Sequence, residues 1–79
     1  MKVCLKLFAT FRHYLPPGTR GGACEVTLPP GSRVSDLLAL FGVPDRESRV
    51  ILVNGRDAGP DWVLQDDDVV AVFPAMAGG

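Results

Sequence analysis

The feature that most constrains this chain is how often it is interrupted. Pro-Pro-Gly stands at 16–18 and again at 29–31, followed by Asn54-Gly55 and Gly59-Pro60. Proline fixes φ and withholds an N–H, glycine accepts positive φ, and a helix or strand stops at each such site. What remains between the breaks is short. At 79 residues the chain makes one domain, and a domain this small buries only about 60% of the surface its unfolded form exposes. An apolar content of 47% against 22% charged residues is that of a globular domain rather than a disordered one.

The segments between the breaks have readable periods. Residues 2–8 alternate, with Val3, Leu5 and Leu7 on one face and Lys2, Cys4, Lys6 and Phe8 on the other, as in a half-buried strand. Thr10 is a candidate cap for a short helical turn through Arg12, His13 and Tyr14. Residues 23–28 alternate again, pointing Cys24, Val26 and Leu28 inward and Glu25 and Thr27 to water. Ser32 is then a candidate N-cap, and Val34, Leu37, Leu38 and Phe41 fall at i, i+3, i+4 and i+7, which lays one apolar helical stripe on a sheet. Asp36 suits the positive end of that helix, Gly42 suits its C′ position and Pro44 bars continuation.

A β-branched run at 50–53 leads into Asn54-Gly55, whose residues tolerate the positive φ of a type I′ hairpin. A polar connection containing Trp62, Val63 and Leu64 follows. The last strand, 69–73, is apolar on both faces, as expected of a central strand or of one covered by a partner. The expected fold is α+β, with one main helix across one sheet and no second domain. Periodicity does not order the strands.

Charge and composition exclude several functions. Residues 1–33 carry five Lys/Arg against one acid, and residues 34–79 carry three against eight. That polarity serves either to orient a partner or simply to keep a small domain in solution. No basic cluster interleaved with aromatics marks a nucleic-acid surface, so no nucleic-acid partner is expected. Two cysteines and His13 fall short of the about four ligands that zinc takes, and no metal is expected. Cys4 and Cys24 each suit a small apolar position in a strand and read as reduced thiols. No run approaches the roughly 18 apolar residues of a membrane span. With no leader-like start, the expected location is the cytoplasm, without membrane attachment. Asp66-Asp67-Asp68 lacks the spaced oxygens of a calcium loop and reads as a solvated turn, in which Asp67 tolerates left-handed geometry. His13 reads as a surface residue outside any nucleophile motif.

The end of the chain is chemically distinctive. After Phe73 come Pro74-Ala75-Met76-Ala77-Gly78-Gly79, a segment able to reach about 20 Å when extended. Residues 74–79 are expected to form a flexible tail on the single domain 1–79. Gly78 and Gly79 place no Cβ beside the terminal carboxylate, so the tail can thread a narrow channel. Phe8 and Phe73 lie on the strand faces opposite the inferred core and are candidates for partner contact, unless each packs beneath a loop. Met76 brings a flexible thioether to the same end.

The order of elements, "LKLFATFR", "VSDLLALFG", "ILVNGR" and the ending "VVAVFPAMAGG" resemble the MoaD/ThiS sulfur carriers over the whole chain. Phe-Pro before the tail is most similar to the small subunit of molybdopterin synthase. Two positions depart: Asp66-Asp67-Asp68 replaces the usual Asp-Gly-Asp, and Phe73-Pro74-Ala75-Met76 replaces Phe-Pro-Pro-Val. The resemblance implies a ubiquitin-like β-grasp fold with a mixed sheet. It implies a non-catalytic carrier whose Gly79, preceded by Gly78, is adenylated and becomes a thiocarboxylate for molybdenum cofactor biosynthesis. No cofactor would be bound, and ATP would be consumed by the activating partner. Implied partners are a ubiquitin-activating-type adenylating enzyme, a sulfur donor protein and the large synthase subunit, with Phe8, Phe73, Pro74, Ala75, Met76 and Ala77 as the contacting residues. Carriers for thiamine, cysteine or tRNA thiolation, a protein modifier conjugated through Gly79, and a non-covalent binding module are the alternatives.

Overall fold

The computed structural model describes residues 1–19, 21–43 and 49–74. Five strands, β1 (Lys2–Leu7), β2 (Ala23–Thr27), β3 (Arg49–Val53), β4 (Arg56–Asp57) and β5 (Val69–Pro74), form one sheet in the order β2-β1-β5-β3-β4. Among the described residues one α-helix, α1 (Val34–Leu40), lies between β2 and β3 in chain order, and a 3₁₀ segment, Ala9–Tyr14, follows β1. The first and last strands run parallel at the centre, with Leu5 beside Val70 and Leu7 beside Val72, and every other neighbouring pair is antiparallel. The architecture is the α+β ubiquitin-like one. Among the described residues no helix is long and apolar enough to cross a membrane.

β5 is the central strand that its two apolar faces called for. Val70 and Val72 are buried beneath α1, while Val69, Ala71 and Phe73 lie half-buried on the opposite face. Val3, Leu5 and Leu7 of β1, Ile51 and Val53 of β3, and Val34, Leu37 and Leu38 of α1 complete the inner layer. Phe11, Leu15, Leu28, Val43 and Leu64 close its rim from the connections. Cys4 and Cys24 are free and stand on opposite faces of the sheet, because Cys24 pairs with Leu5 and Cys4 with Glu25.

A seven-residue helix has little stability of its own, and α1 is held by its surroundings. The Val34 N–H donates to the Trp62 carbonyl at 3.0 Å and the Ser35 N–H to the Pro60 carbonyl at 2.9 Å. The segment that reads as a mere polar connection therefore satisfies the first donors of the helix. Ser32 does not cap it: its hydroxyl donates to the Pro29 carbonyl at 2.8 Å. Arg33 occupies the N-cap position, and its N–H donates to Asp36 Oδ2 at 2.9 Å. At the other end Gly42 has φ +71°. Its N–H donates to Ala39 and that of Val43 to Leu38, a Schellman ending with buried Val43 against the core. Pro44 lies outside the described residues.

Thr10 is likewise no cap. Phe8, still extended, occupies the N-cap position of the 3₁₀ segment without any side-chain cap, and Ala9 takes φ +52°. The Phe11 N–H donates to the Phe8 carbonyl, and Phe11 is driven into the core. Asn54 and Gly55 take φ +53° and +81°, as the type I′ turn requires.

The acidic triplet is more than a solvated turn. Asp67 has the expected left-handed φ, +69°, and Asp66 is exposed, but Asp68 is only 7% exposed. Asp66 Oδ1 accepts from the Lys2 N–H at 2.7 Å. Asp68 Oδ1 accepts from Asn54 Nδ2 and its Oδ2 from the Gln65 N–H, each at 2.9 Å. Asn54 Oδ1 in turn accepts from the Val69 N–H at 2.9 Å. Two of the three acids, Asp66 and Asp68, thus tie the starts of β1 and β5 to the end of β3, with Asp68 itself buried and both of its oxygens supplied with donors.

Candidate functional site

Because β1 and β5 are parallel, their C-terminal ends lie side by side. Leu7 pairs with Val72, so Phe8 stands next to Phe73 on the sheet face away from α1, and the Phe8 N–H donates to the Val72 carbonyl at 3.2 Å. The rings stack with centroids 4.3 Å apart and planes 8° from parallel, an arrangement that contributes about 0.5–1.5 kcal/mol beyond area burial. Each ring covers one face of the other. Phe8 nevertheless remains 37% exposed.

The apolar surface extends beyond the pair. Val50 of β3 sits opposite Phe73 and is 42% exposed, and half-buried Leu52 sits opposite Ala71. Phe8, Phe73, Val50, Ala71 and Leu52 thus form an apolar strip across three adjacent strands, with Lys6 and Cys4 beside it on β1. Phe8 and Val50 are the exposed members of this strip and the others are half-buried, which makes the strip a candidate interaction surface. Sequence reasoning found the two phenylalanines singly and missed Val50, Leu52 and Ala71. The signal was present in the alternation of "RVILV" and "VVAVFP", but it becomes a patch only once β5 is known to lie between β1 and β3.

β5 runs through Pro74, half-buried beside Arg49, so the chain leaves the sheet at the same end as the stacked rings. Ala75, Met76, Ala77, Gly78 and Gly79 lie outside the described residues. His13 is exposed and packs on Tyr14 with centroids 4.1 Å apart. Among the described residues no group of three His, Cys, Asp or Glu side chains is placed to hold a metal ion. Built from these residues, the candidate site is an apolar face with the end of β5 at its edge.

Comparison with known proteins agrees with this fold. The Mut7-C ubiquitin family profile matches residues 1–78. The chain is similar to a putative molybdopterin converting factor subunit 1 from Pyrococcus furiosus, with 35% identity, a TM-score of 0.72, and coverage of 95% of this chain and 98% of that one. SAMP1 from Haloferax volcanii, a small archaeal modifier protein, is 25% identical with a TM-score of 0.74 over 100% of both chains. A complex of subunits 1 and 2 of molybdopterin-converting factor from Helicobacter pylori contains a chain of the same fold, with 16% identity, a TM-score of 0.62 and 100% coverage of both. No curated protein matches the sequence.

Proposed function

This chain belongs to the Mut7-C ubiquitin family of MoaD/ThiS-like, ubiquitin-like domains, and on that premise we propose that it is a sulfur carrier that works through the Gly79 carboxylate. The observation that carries the reading is where β5 ends: its last residue, Pro74, lies beside the apolar face built on Phe8 and Phe73 and five residues before Gly79. The face holds the partner, and the tail reaches the partner's active centre.

A carboxylate is a poor electrophile. In the proposed sequence a Gly79 oxygen attacks the α-phosphorus of ATP on an adenylating enzyme, pyrophosphate leaves, and the carbonyl carbon gains AMP as a leaving group. The terminal sulfur of a donor persulfide displaces AMP. A second thiol then attacks the donor's sulfur, forming a disulfide and releasing the Gly79 thiocarboxylate. That anionic sulfur is the nucleophile, as thiolates rather than thiols are in cysteine chemistry. This chain contributes docking and reach, while the side chains that move protons belong to its partners. Glycine at 78 and 79 leaves the carbonyl open to attack from either side.

Molybdopterin synthesis is the proposed destination, supported by likeness to the Pyrococcus furiosus converting factor subunit and by Phe73-Pro74 before the tail. The corresponding partner is a large synthase subunit, in line with the two-subunit Helicobacter pylori complex, and the setting is the cytoplasm. Likeness to a small archaeal modifier protein supports a second reading, in which the same adenylate is attacked by a target lysine to give an isopeptide.

Intact mass after incubation with an adenylating enzyme, ATP and a persulfide source tests both. Exchange of one oxygen for sulfur adds about 16 Da, and deletion of Gly79 removes that product. Conjugates on lysines without the added mass favour the modifier. An unchanged mass in the fully supplied reaction, with partner binding insensitive to loss of Gly79, refutes tail chemistry altogether.

A further inference from the structure

The sheet has two edges of different character. β4 is two residues long and carries Arg56 and Asp57, both exposed, a charged and short edge of the kind that resists pairing. β2 is five residues of strand-forming sequence, Ala-Cys-Glu-Val-Thr, with one charge and neither proline nor bulge. Among the described residues no strand pairs with its outer side. Met1 and Leu28 exchange hydrogen bonds, each at 2.9 Å, and the Leu7 N–H donates to the Gly22 carbonyl at 3.0 Å. Since antiparallel bonding alternates, the even-numbered residues of this strand bond inward to β1. The N–H and C=O groups of Ala23, Glu25 and Thr27 therefore point outward.

An open groove of about 430 Å³ lies between the end of β2 and α1, lined by Leu28, Pro29, Ser32, Asp36, Ala39 and Leu40. Leu40 is 64% exposed and adds an aliphatic side chain to the groove wall. Cys24 and Val26, half-buried on the helix-side face of β2, continue the apolar strip along the strand. A backbone edge calls for an extended chain, and an apolar groove beside it takes every second side chain of that chain.

We propose that the β2 edge and the β2–α1 groove form a second docking site, which takes an extended segment of a partner protein by strand addition. That segment carries aliphatic side chains at alternate positions facing Leu28, Ala39 and Leu40, and a flanking lysine or arginine facing Asp36. A second copy of this chain is the poorer occupant, since full antiparallel overlap of two β2 strands sets Glu25 against Glu25, and like charges directly opposed destabilise a strand pair. The groove lies at the end of the sheet where β1 begins, and the C-terminal segment leaves from the end where β1 finishes. Both sites can be occupied at once, independently of the tail chemistry.

The probe is the synthetic peptide acetyl-Lys-Val-Ile-Val-Thr-Lys-amide, titrated into the full chain and followed by amide NMR. Binding is expected to slow exchange at the Ala23, Glu25 and Thr27 amides at least tenfold and to leave Arg56 and Asp57 unchanged. N-methylation at alternate peptide nitrogens should weaken binding at least tenfold. So should Ala39→Glu, at an exposed helix position, and Thr27→Pro, which withdraws one outward N–H at an edge that tolerates proline. Replacing both lysines of the peptide by glutamate should weaken it about fivefold. Circular dichroism verifies folding of each variant, and the mass assay above should give the same product with Ala39→Glu. No binding up to roughly 1 mM peptide, shifts confined to Phe8, Phe73 and Val50, or a chain dimer that protects the same three amides without peptide would each overturn the proposal.

Discussion

Replacing Asp68 by alanine removes both acceptors that hold together the start of β5. The Asn54 side-chain amide and the Gln65 N–H each lose a 2.9 Å bond to a residue only 7% exposed. A hydrogen bond to a charged group contributes about 1.5–3 kcal/mol, and a buried donor left without a partner costs about 1–3 kcal/mol. Water entering at this partly exposed end recovers part of that, so the expected loss is about 2–4 kcal/mol. A chain of 79 residues has a total stability of about 4–12 kcal/mol, and at about 4–8 °C per kcal/mol the melting temperature falls by about 8–32 °C. Asp68→Asn keeps one acceptor and should cost about half as much. Urea unfolding followed by circular dichroism measures both. In a double-mutant cycle with Asn54→Gly, which preserves the positive φ at 54, coupling of about 1 kcal/mol or more is expected. A loss below about 0.5 kcal/mol for Asp68→Ala at unchanged m-value would show that these bonds do not hold the strand ends.

Other outcomes follow from single positions. Asp67→Gly relieves a left-handed residue, φ +69°, and should change stability by between 0 and about +1 kcal/mol, since the flexible unfolded chain offsets part of the gain. Gly42→Ala meets no atom within 4 Å but must hold φ +71°, so it should lose about 1 kcal/mol in the same unfolding assay. Phe73→Ala breaks the ring stack on the open face. It should lower stability by only about 1–2 kcal/mol and weaken binding to a large molybdopterin synthase subunit at least tenfold in a calorimetric titration. Equal affinity would remove that face from the proposed interface.

Much of the architecture was legible because short-range physics dictates it. Alternation in β1 and β2 marks half-buried strands, Val34, Leu37 and Leu38 make a helical stripe, and Asn54-Gly55 and Gly42 sit where the backbone needs positive φ. Capping was less legible. A hydroxyl at Ser32 or Thr10 has several acceptors within reach, and local sequence does not decide which one it takes; Ser32 turned back to Pro29 because Asp36 and the carbonyls of Pro60 and Trp62 already served the helix. Asp68 was misjudged for a related reason. An acid in a polar run resembles a solvated turn until a distant strand end, here Asn54, arrives to fill its oxygens.

The apolar face divides along the same line. Sequence alone established that Phe8 and Phe73 point away from the core and that 69–73 is apolar on both sides, because the side-chain period of a strand is two. Only the tertiary structure made β1 and β5 parallel neighbours, stacked the two rings and added Val50, Leu52 and Ala71 from strands adjacent in space. Strand order is set by which long-range pairing buries the most apolar surface, and that quantity belongs to the whole chain at once, with no single segment able to display it.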